Sequence, residues 1–185
     1  MNQIKQVMNL SFNLPNKLWW ITNFLDYPTY KNIHNAIIKE RKLLNLESSK
    51  NNWQDILIKN IEPPLIKQII NYPHFEKLKT LVKFNPYFKP ETELKNMSTT
   101  IHYMKKGAGI NWHDDGDWKY GVTYYVNHKW NNQWGGELMF SNEDGSGFIP
   151  YVGNSLLIIK SPLLHKVVPV TTSIFPRISV QMFMK

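Results

Sequence analysis

The spacing of apolar residues changes near residue 95 and divides the chain into two textures. In the first, Leu18-Trp19-Trp20-Ile21 reads as a short buried strand, followed by a turn at Asp26-Tyr27-Pro28. Over 30–46, Ile33, Ile37, Leu43 and Leu44 stand among Lys, Glu and Asn at spacings that predict a one-faced helix. Pro63 and Pro64 suit the first turn of a second helix carrying Leu65, Ile66, Ile69 and Ile70. A third helical piece over 74–84 ends before Pro86 and Pro90.

Beyond residue 95 the period shortens to two. Runs rich in Ile, Val, Tyr and Phe, separated by Gly, Asn, Asp and Pro, predict strands at 98–105, 109–113, 119–127, 136–141, 147–151, 154–160, 164–170 and 175–184. Eight short strands without an intervening helix imply a jelly roll, the cupin-like double-stranded β-helix. The expected class is mainly β with N-terminal helices (α+β). A single domain over 1–185 is expected, with 1–95 as mainly helical support packed on one sheet and 96–185 as the jelly-roll core.

Composition changes this picture little. At 185 residues the chain holds one good core, and 42% hydrophobic with 19% charged residues is a globular balance. No apolar run reaches the roughly 20 residues of a membrane span. Asn2, Asn9, Asn13 and Asn16 interrupt the first stretch, so no signal peptide is read and a cytoplasmic location is expected. With no Cys, disulfides and thiolate metal sites are excluded. The net charge of +8 suggests nucleic acid, but Lys is matched in abundance by Asn and Ile, as AT-rich coding produces. Nucleic acid is therefore not the expected partner.

The candidate chemistry lies in Trp112-His113-Asp114-Asp115-Gly116. Residues two apart on an extended segment project to one side, so His113 and Asp115 converge. His165 enters a predicted strand in the apolar run Leu163-Leu164-His165-Lys166-Val167, on the same face as Val167. A buried imidazole there needs a partner. Two His and one carboxylate with open positions is the donor set of non-haem Fe(II), although imidazole and carboxylate alone do not exclude zinc. His34, His74, His102 and His128 lack such a setting and read as surface or packing residues. Asp114 and Asp117 read as solvated loop carboxylates.

Arg177, one of two arginines, opens the alternating run Arg177-Ile178-Ser179-Val180 and shares a face with Ser179. A guanidinium inside a barrel needs an anion, and with a hydroxyl it makes a fork for a carboxylate.

Together these segments resemble the 2-oxoglutarate- and Fe(II)-dependent oxygenases, in particular their prolyl-4-hydroxylase-like branch. Tyr103 to Gly107 followed by His113-Asp114-Asp115 resembles the lead-in to His-x-Asp. Gly121-Val122-Thr123-Tyr124-Tyr125 with Trp130 and Gly135-Gly136-Glu137-Leu138 resembles the central hairpin. Gly153-Asn154-Ser155, His165-Lys166-Val167 and Arg177-Ile178-Ser179 complete the pattern, and Asn23-Phe24-Leu25-Asp26 resembles the branch's leading segment. The resemblance implies that His113, Asp115 and His165 bind Fe(II). It implies that Arg177 and Ser179 hold the distal carboxylate of 2-oxoglutarate, joined by Tyr125, with Tyr103 facing the same pocket. Ile110 departs from the aromatic that relatives often carry.

It further implies that O2 and 2-oxoglutarate are consumed, succinate and CO2 released and a C–H bond hydroxylated, with ascorbate a candidate reductant. A prolyl residue of a polypeptide is the leading substrate, lying across a mouth formed by the 114–118 loop and a 128–134 hairpin. Trp112, Trp118, Trp130 and Trp134 are expected to flank that mouth. A small molecule (free amino acid, sugar or lipid) is the alternative. A nucleic-acid demethylase and a non-catalytic cupin-like binding module rank below both, and the oligomeric state is open.

Overall fold

Strict alternation along the strands sends each residue of a long strand to one of two interiors. The computed structural model describes residues 8–40, 46–51, 56–57, 61–68, 73–88 and 97–185. Eight strands form a large sheet: β1 (Asn9–Leu14), β2 (Leu18–Thr22), β3 (Glu47–Ser48), β4 (Leu65–Gln68), β5 (Met97–Met104), β7 (Tyr120–Tyr125), β10 (Ser155–Lys160) and β12 (Arg177–Met184). Their order is β1-β2-β10-β7-β12-β5-β4-β3. A smaller sheet orders β6 (Ile110–His113), β11 (Leu164–Val167), β8 (Leu138–Asn142) and β9 (Gly145–Ile149) as β6-β11-β8-β9. All pairings are antiparallel. The jelly roll is as expected, and β5 to β12 agree with the eight sequence-predicted strands to within three residues at every boundary.

One face of the large sheet is apolar. Tyr120, Val122 and Tyr124 of β7, Leu156 and Ile158 of β10, and Ile178, Val180, Met182 and Met184 of β12 form one cluster. Helix α1 (Tyr27–Glu40) covers it with Tyr30, Ile33 and Ile37, and α2 (Pro73–Lys83) with Phe75, Leu78 and Val82. Each such burial stabilises by about 1.5–3 kcal/mol. The opposite face looks toward the small sheet, where Leu138 and Phe140 meet Leu157 and Ile159. Polar side chains reach the interior from inward positions of β5, β7 and β12 on the large sheet, and from β6 and β11 on the small one.

The first half differs from the expected helical support. The strand expected at Leu18–Ile21 is present as β2, and the described residues also add β1, β3 and β4 to the large sheet beside two helices. The helix expected after Pro63 and Pro64 is strand β4, with Leu65 opposite Tyr103 and Gln68 opposite Thr100. The open edge of β5 offers a ladder of backbone partners, and that pairing overrides a weak helical periodicity. Strand β1 is mostly exposed, so it lacks the apolar alternation that would announce it. Leu43, Leu44, Ile69 and Ile70 lie outside the described residues. No helix among the described residues is long and apolar enough to cross a membrane.

Leu78 is fully buried between α2 and the sheet. Leu78→Ala should lower unfolding free energy by about 2–5 kcal/mol in urea titrations, as a large-to-small change at a closed site does. A loss below about 0.5 kcal/mol would mean that the helix layer does not share the sheet's cooperative core.

Candidate metal and anion site

Two neighbouring strands of the small sheet bring His113 and His165 together. They are Cα partners across β6 and β11, and their ring centroids lie 4.3 Å apart. Asp115 follows the end of β6 in a turn that Asp114 shapes by accepting the Gly116 amide at 2.9 Å. Its Oδ1 lies 3.7 Å from His165 Nε2, and one ligand atom from each of His113, Asp115 and His165 falls within 4.8 Å of the others. Gly121 of β7 makes the room, because a Cβ there would collide with the Asp115 carboxylate.

The imidazoles are committed to one tautomer. His113 Nδ1 meets the Asn111 carbonyl at 2.7 Å and His165 Nδ1 meets the Leu163 carbonyl at 2.8 Å. A carbonyl only accepts, so each Nδ1 carries the proton and each Nε2 keeps a lone pair for a metal. Burial holds both rings below the ordinary histidine value. Burial also pushes the Asp115 carboxyl up to about 6.

Farther along the same interior, Arg177 is fully buried. Its Nε donates to the Gly136 carbonyl at 2.8 Å, and its Nη1 to Ser179 Oγ at 3.2 Å and Met104 Sδ at 3.6 Å. The rings of Tyr125 and Tyr151 each lie 5.3 Å from the guanidinium carbon. Arg177 has no carboxylate partner among the described residues, and its Nη2 and the Tyr125 hydroxyl find no hydrogen-bond partner there. A buried cation with two such atoms beside it fits an incoming carboxylate. Burial raises the Tyr125 hydroxyl, so it remains a donor.

A cavity of about 330 Å³ contains the His113, Asp115 and His165 side chains, with Ile110, His102, Thr123, Gln181, Trp118 and Phe183 among its walls. The structure moves three expectations. Tyr103 does not face this cavity. It pairs with Ile178 and packs against the helix-side cluster, so the inward residue of β5 is His102, opposite Ser179. His102, expected on the surface or in ordinary packing, is buried in the cavity wall, where burial first and then the Arg177 charge hold it down at about 3.

The 128–134 segment is neither a strand hairpin nor part of the mouth. It contains a short 3-10 turn at Asn132–Trp134, and Trp130 packs tilted against Tyr151 and edge-to-face with Trp134. It closes the far end of the barrel. Of the four tryptophans only Trp118 lines the cavity, and Trp112 lies under Lys166.

Gly121, His102 and Tyr151 escaped the sequence reading. The signal for Gly121 was a glycine opening a run of aromatic and β-branched residues. The Tyr151 hydroxyl accepts the Val126 and Asn127 amides at 3.1 and 2.9 Å and donates to either Asn127 Oδ1 or the Ile178 carbonyl.

A jelly roll with a two-His, one-carboxylate group above a buried arginine defines a non-haem iron oxygenase that uses an acidic co-substrate. Residues 99–185, the jelly-roll core, match the family model of the 2OG-Fe(II) oxygenase superfamily. Fe(II), 2-oxoglutarate and O2 are accordingly its metal and co-substrates. No curated protein matches the chain.

Among solved structures, a Pseudomonas putida prolyl-4-hydroxylase superposes with a TM-score of 0.70 at 16% identity, covering 92% of this chain and 93% of its own. A Trichoplax adhaerens prolyl hydroxylase, solved with a hypoxia inducible factor oxygen degradation domain peptide fragment, gives 0.76 at 18% identity, covering 92% and 84%. SnoN, a non-heme alpha ketoglutarate dependent epimerase from nogalamycin biosynthesis, gives 0.69 at 8% identity, covering 91% and 78%. The fold is therefore shared by enzymes with different reactions.

The raised Asp115 carboxyl carries a sign that can be tested. Its charged form is disfavoured by folding, so the metal-free protein loses stability as pH rises from the ordinary 3.8 through about 6. Metal needs that same charged form, so divalent-metal affinity should rise over this interval and level off above it. Calorimetric titration across pH checks the second statement. For the first, metal-free Asp115→Asn should melt above the metal-free parent at neutral pH, and a lower melting temperature would contradict the burial argument.

Proposed function

We propose that this chain is a dioxygenase that couples conversion of 2-oxoglutarate and O2 to succinate and CO2 with hydroxylation of a prolyl residue in a polypeptide. One observation carries the reading: a His-Asp-His trio that could hold a metal ion and a buried, carboxylate-free guanidinium both belong to the interior between the two sheets. The Arg177 guanidinium reaches Ser179, and Gly121, beside Asp115, pairs with Phe183 four residues farther along β12. Four residues of strand span about 13 Å. A five-carbon diacid, contacted at both ends, fills roughly that length.

In this reading His113 Nε2, His165 Nε2 and Asp115 hold Fe(II), which supplies activation of O2 and of the oxoacid when bound. Arg177, Ser179 and the Tyr125 hydroxyl hold the distal carboxylate and so aim the oxoacid's other end at the metal. The buried walls, Ile110, Leu138, Ile159 and Val167, exclude water from the reacting atoms. At the opening Trp118 and Phe183 pack with centroids 5.7 Å apart. Their flat apolar faces suit a pyrrolidine ring, and the two solved prolyl hydroxylases of the same fold support that choice. The cavity of about 330 Å³ beside the trio has room for the metal end of the diacid and one residue-sized group. That is also the size of a free amino acid, so a small-molecule substrate is the second reading.

Two experiments test this. His165→Ala should lose Fe(II) and oxoacid turnover, whereas Arg177→Ala should keep Fe(II) and bind 2-oxoglutarate more weakly by roughly 2–5 kcal/mol. Tyr125→Phe should cost about 1 kcal/mol. Unchanged oxoacid affinity in Arg177→Ala would remove that residue from the site.

Mass spectrometry over a panel of proline-containing peptides and free metabolites should find a gain of one oxygen on a peptide proline. Oxygen gained only by free amino acids or sugars would favour the second reading. Tight oxoacid binding with no succinate under any substrate would favour a binding module.

A further inference from the structure

Between the anion pocket and the metal trio lies one rung of the large sheet, and that rung is polar. Gln181 of β12 pairs with Thr123 of β7 on one side and with Thr100 of β5 on the other. Gln181 and Thr123 are buried and line the same cavity as His113, Asp115 and His165. Two residues back along their strands stand Ser179 and Tyr125, beside Arg177. Two residues the other way stand Phe183 and Gly121, beside Asp115. The pair thus faces the middle and the metal end of whatever spans the two sites.

The pair is also oriented. The Thr123 hydroxyl donates to Gln181 Oε1 at 2.7 Å. That bond turns the amide oxygen toward β7 and leaves the amide nitrogen, which has no hydrogen-bond partner among the described residues, to the cavity. Cross-strand packing alone would be met as well by two apolar residues, and this pair instead presents a donor to the cavity that the metal trio lines. An occupant with acceptor oxygens at this level would take the place of water at that donor.

We propose that Gln181, held by Thr123, is a positioning residue that donates from its amide nitrogen to the metal-chelating end of the oxoacid. The inference rests on the proposed function, because it needs Fe(II) and 2-oxoglutarate in this cavity. Arg177 and the Tyr125 hydroxyl serve the distal carboxylate from the deeper rung, leaving the 2-oxo carboxylate with lone pairs that the metal does not use. An N–H fixed by the sheet, rather than by a loop, aligns that end of the oxoacid before substrate arrives. A carboxylate in its place would repel the oxoacid.

The test uses the full chain loaded anaerobically with Fe(II) and titrated with 2-oxoglutarate. It follows affinity and the visible metal-to-ligand charge-transfer band of the chelated oxoacid. Wild type should show the band. Gln181→Leu should bind Fe(II) alone as wild type does, bind the oxoacid roughly ten- to a hundredfold more weakly, the range for one hydrogen bond to a charged group, and shift the band. Gln181→Met serves the same purpose should the leucine variant fail to fold.

Thr123→Val, which leaves the amide present but unheld, should move affinity and band in the same direction by less. Gln181→Glu should be the weakest binder of the series. A wild-type band with unchanged affinity and band position in the leucine or methionine variant overturns the role of Gln181. Tighter oxoacid binding by Gln181→Glu does so too, because it would mean that an acceptor faces the cavity. Absence of any band in wild type would instead overturn the proposed function on which the inference stands.

Discussion

A guanidinium with no carboxylate beside it is the constraint around which the barrel is built. Removing such a charge from water costs several kcal/mol even after relaxation. Three segments far apart in sequence share the compensation at Arg177. Gly136 brings its carbonyl close, at φ +79°, where a Cβ would press on Arg177 Cδ at 2.8 Å. Tyr125 and Tyr151 present ring faces, an arrangement worth about 2 kcal/mol when desolvated. Tyr151 can do so because its hydroxyl is tied to the backbone at the end of β7 and the start of β12. Trp130 then lies over Tyr151 and shuts out water. The far end of the barrel is closed because the charge requires it to be.

The parts of the site that were legible in the sequence share one property: they follow from parity along a single strand. His113 with Asp115, His165 with Val167, and Arg177 with Ser179 each lie two residues apart, and the side-chain period of an extended chain puts each pair on one face. Gln181 continues the Arg177 parity and Thr123 that of Tyr125, so both could have been placed the same way. Tyr103 could not. Its face depends on which residue of β12 stands opposite it, and a register is a property of two strands that neither sequence contains. The pairing of Arg177 with Met104 makes His102 the inward residue.

The first half was harder for a related reason. Leu65 and Ile66 have apolar character compatible with a helix or an edge strand, and β5 decides between them by offering hydrogen-bond partners. Strand β1, with almost every side chain in solvent, has no burial pattern to reveal. The two helices were readable because each buries a stripe in the same cluster, which writes a 3.6-residue period into the sequence. Local pattern thus reported burial faithfully and partner choice poorly.

The bonds from each imidazole to a carbonyl two residues earlier have a consequence for the life of the metal centre. A ring held at Nδ1 by its own backbone cannot turn over without breaking that bond, and at His165 burial discourages water from replacing it. Both Nε2 lone pairs therefore stay aimed at one region, and an ion arriving there would meet two donor directions already in place. The scaffold thus keeps a memory of the imidazole geometry, so that loading an ion would require no search among the histidine rotamers.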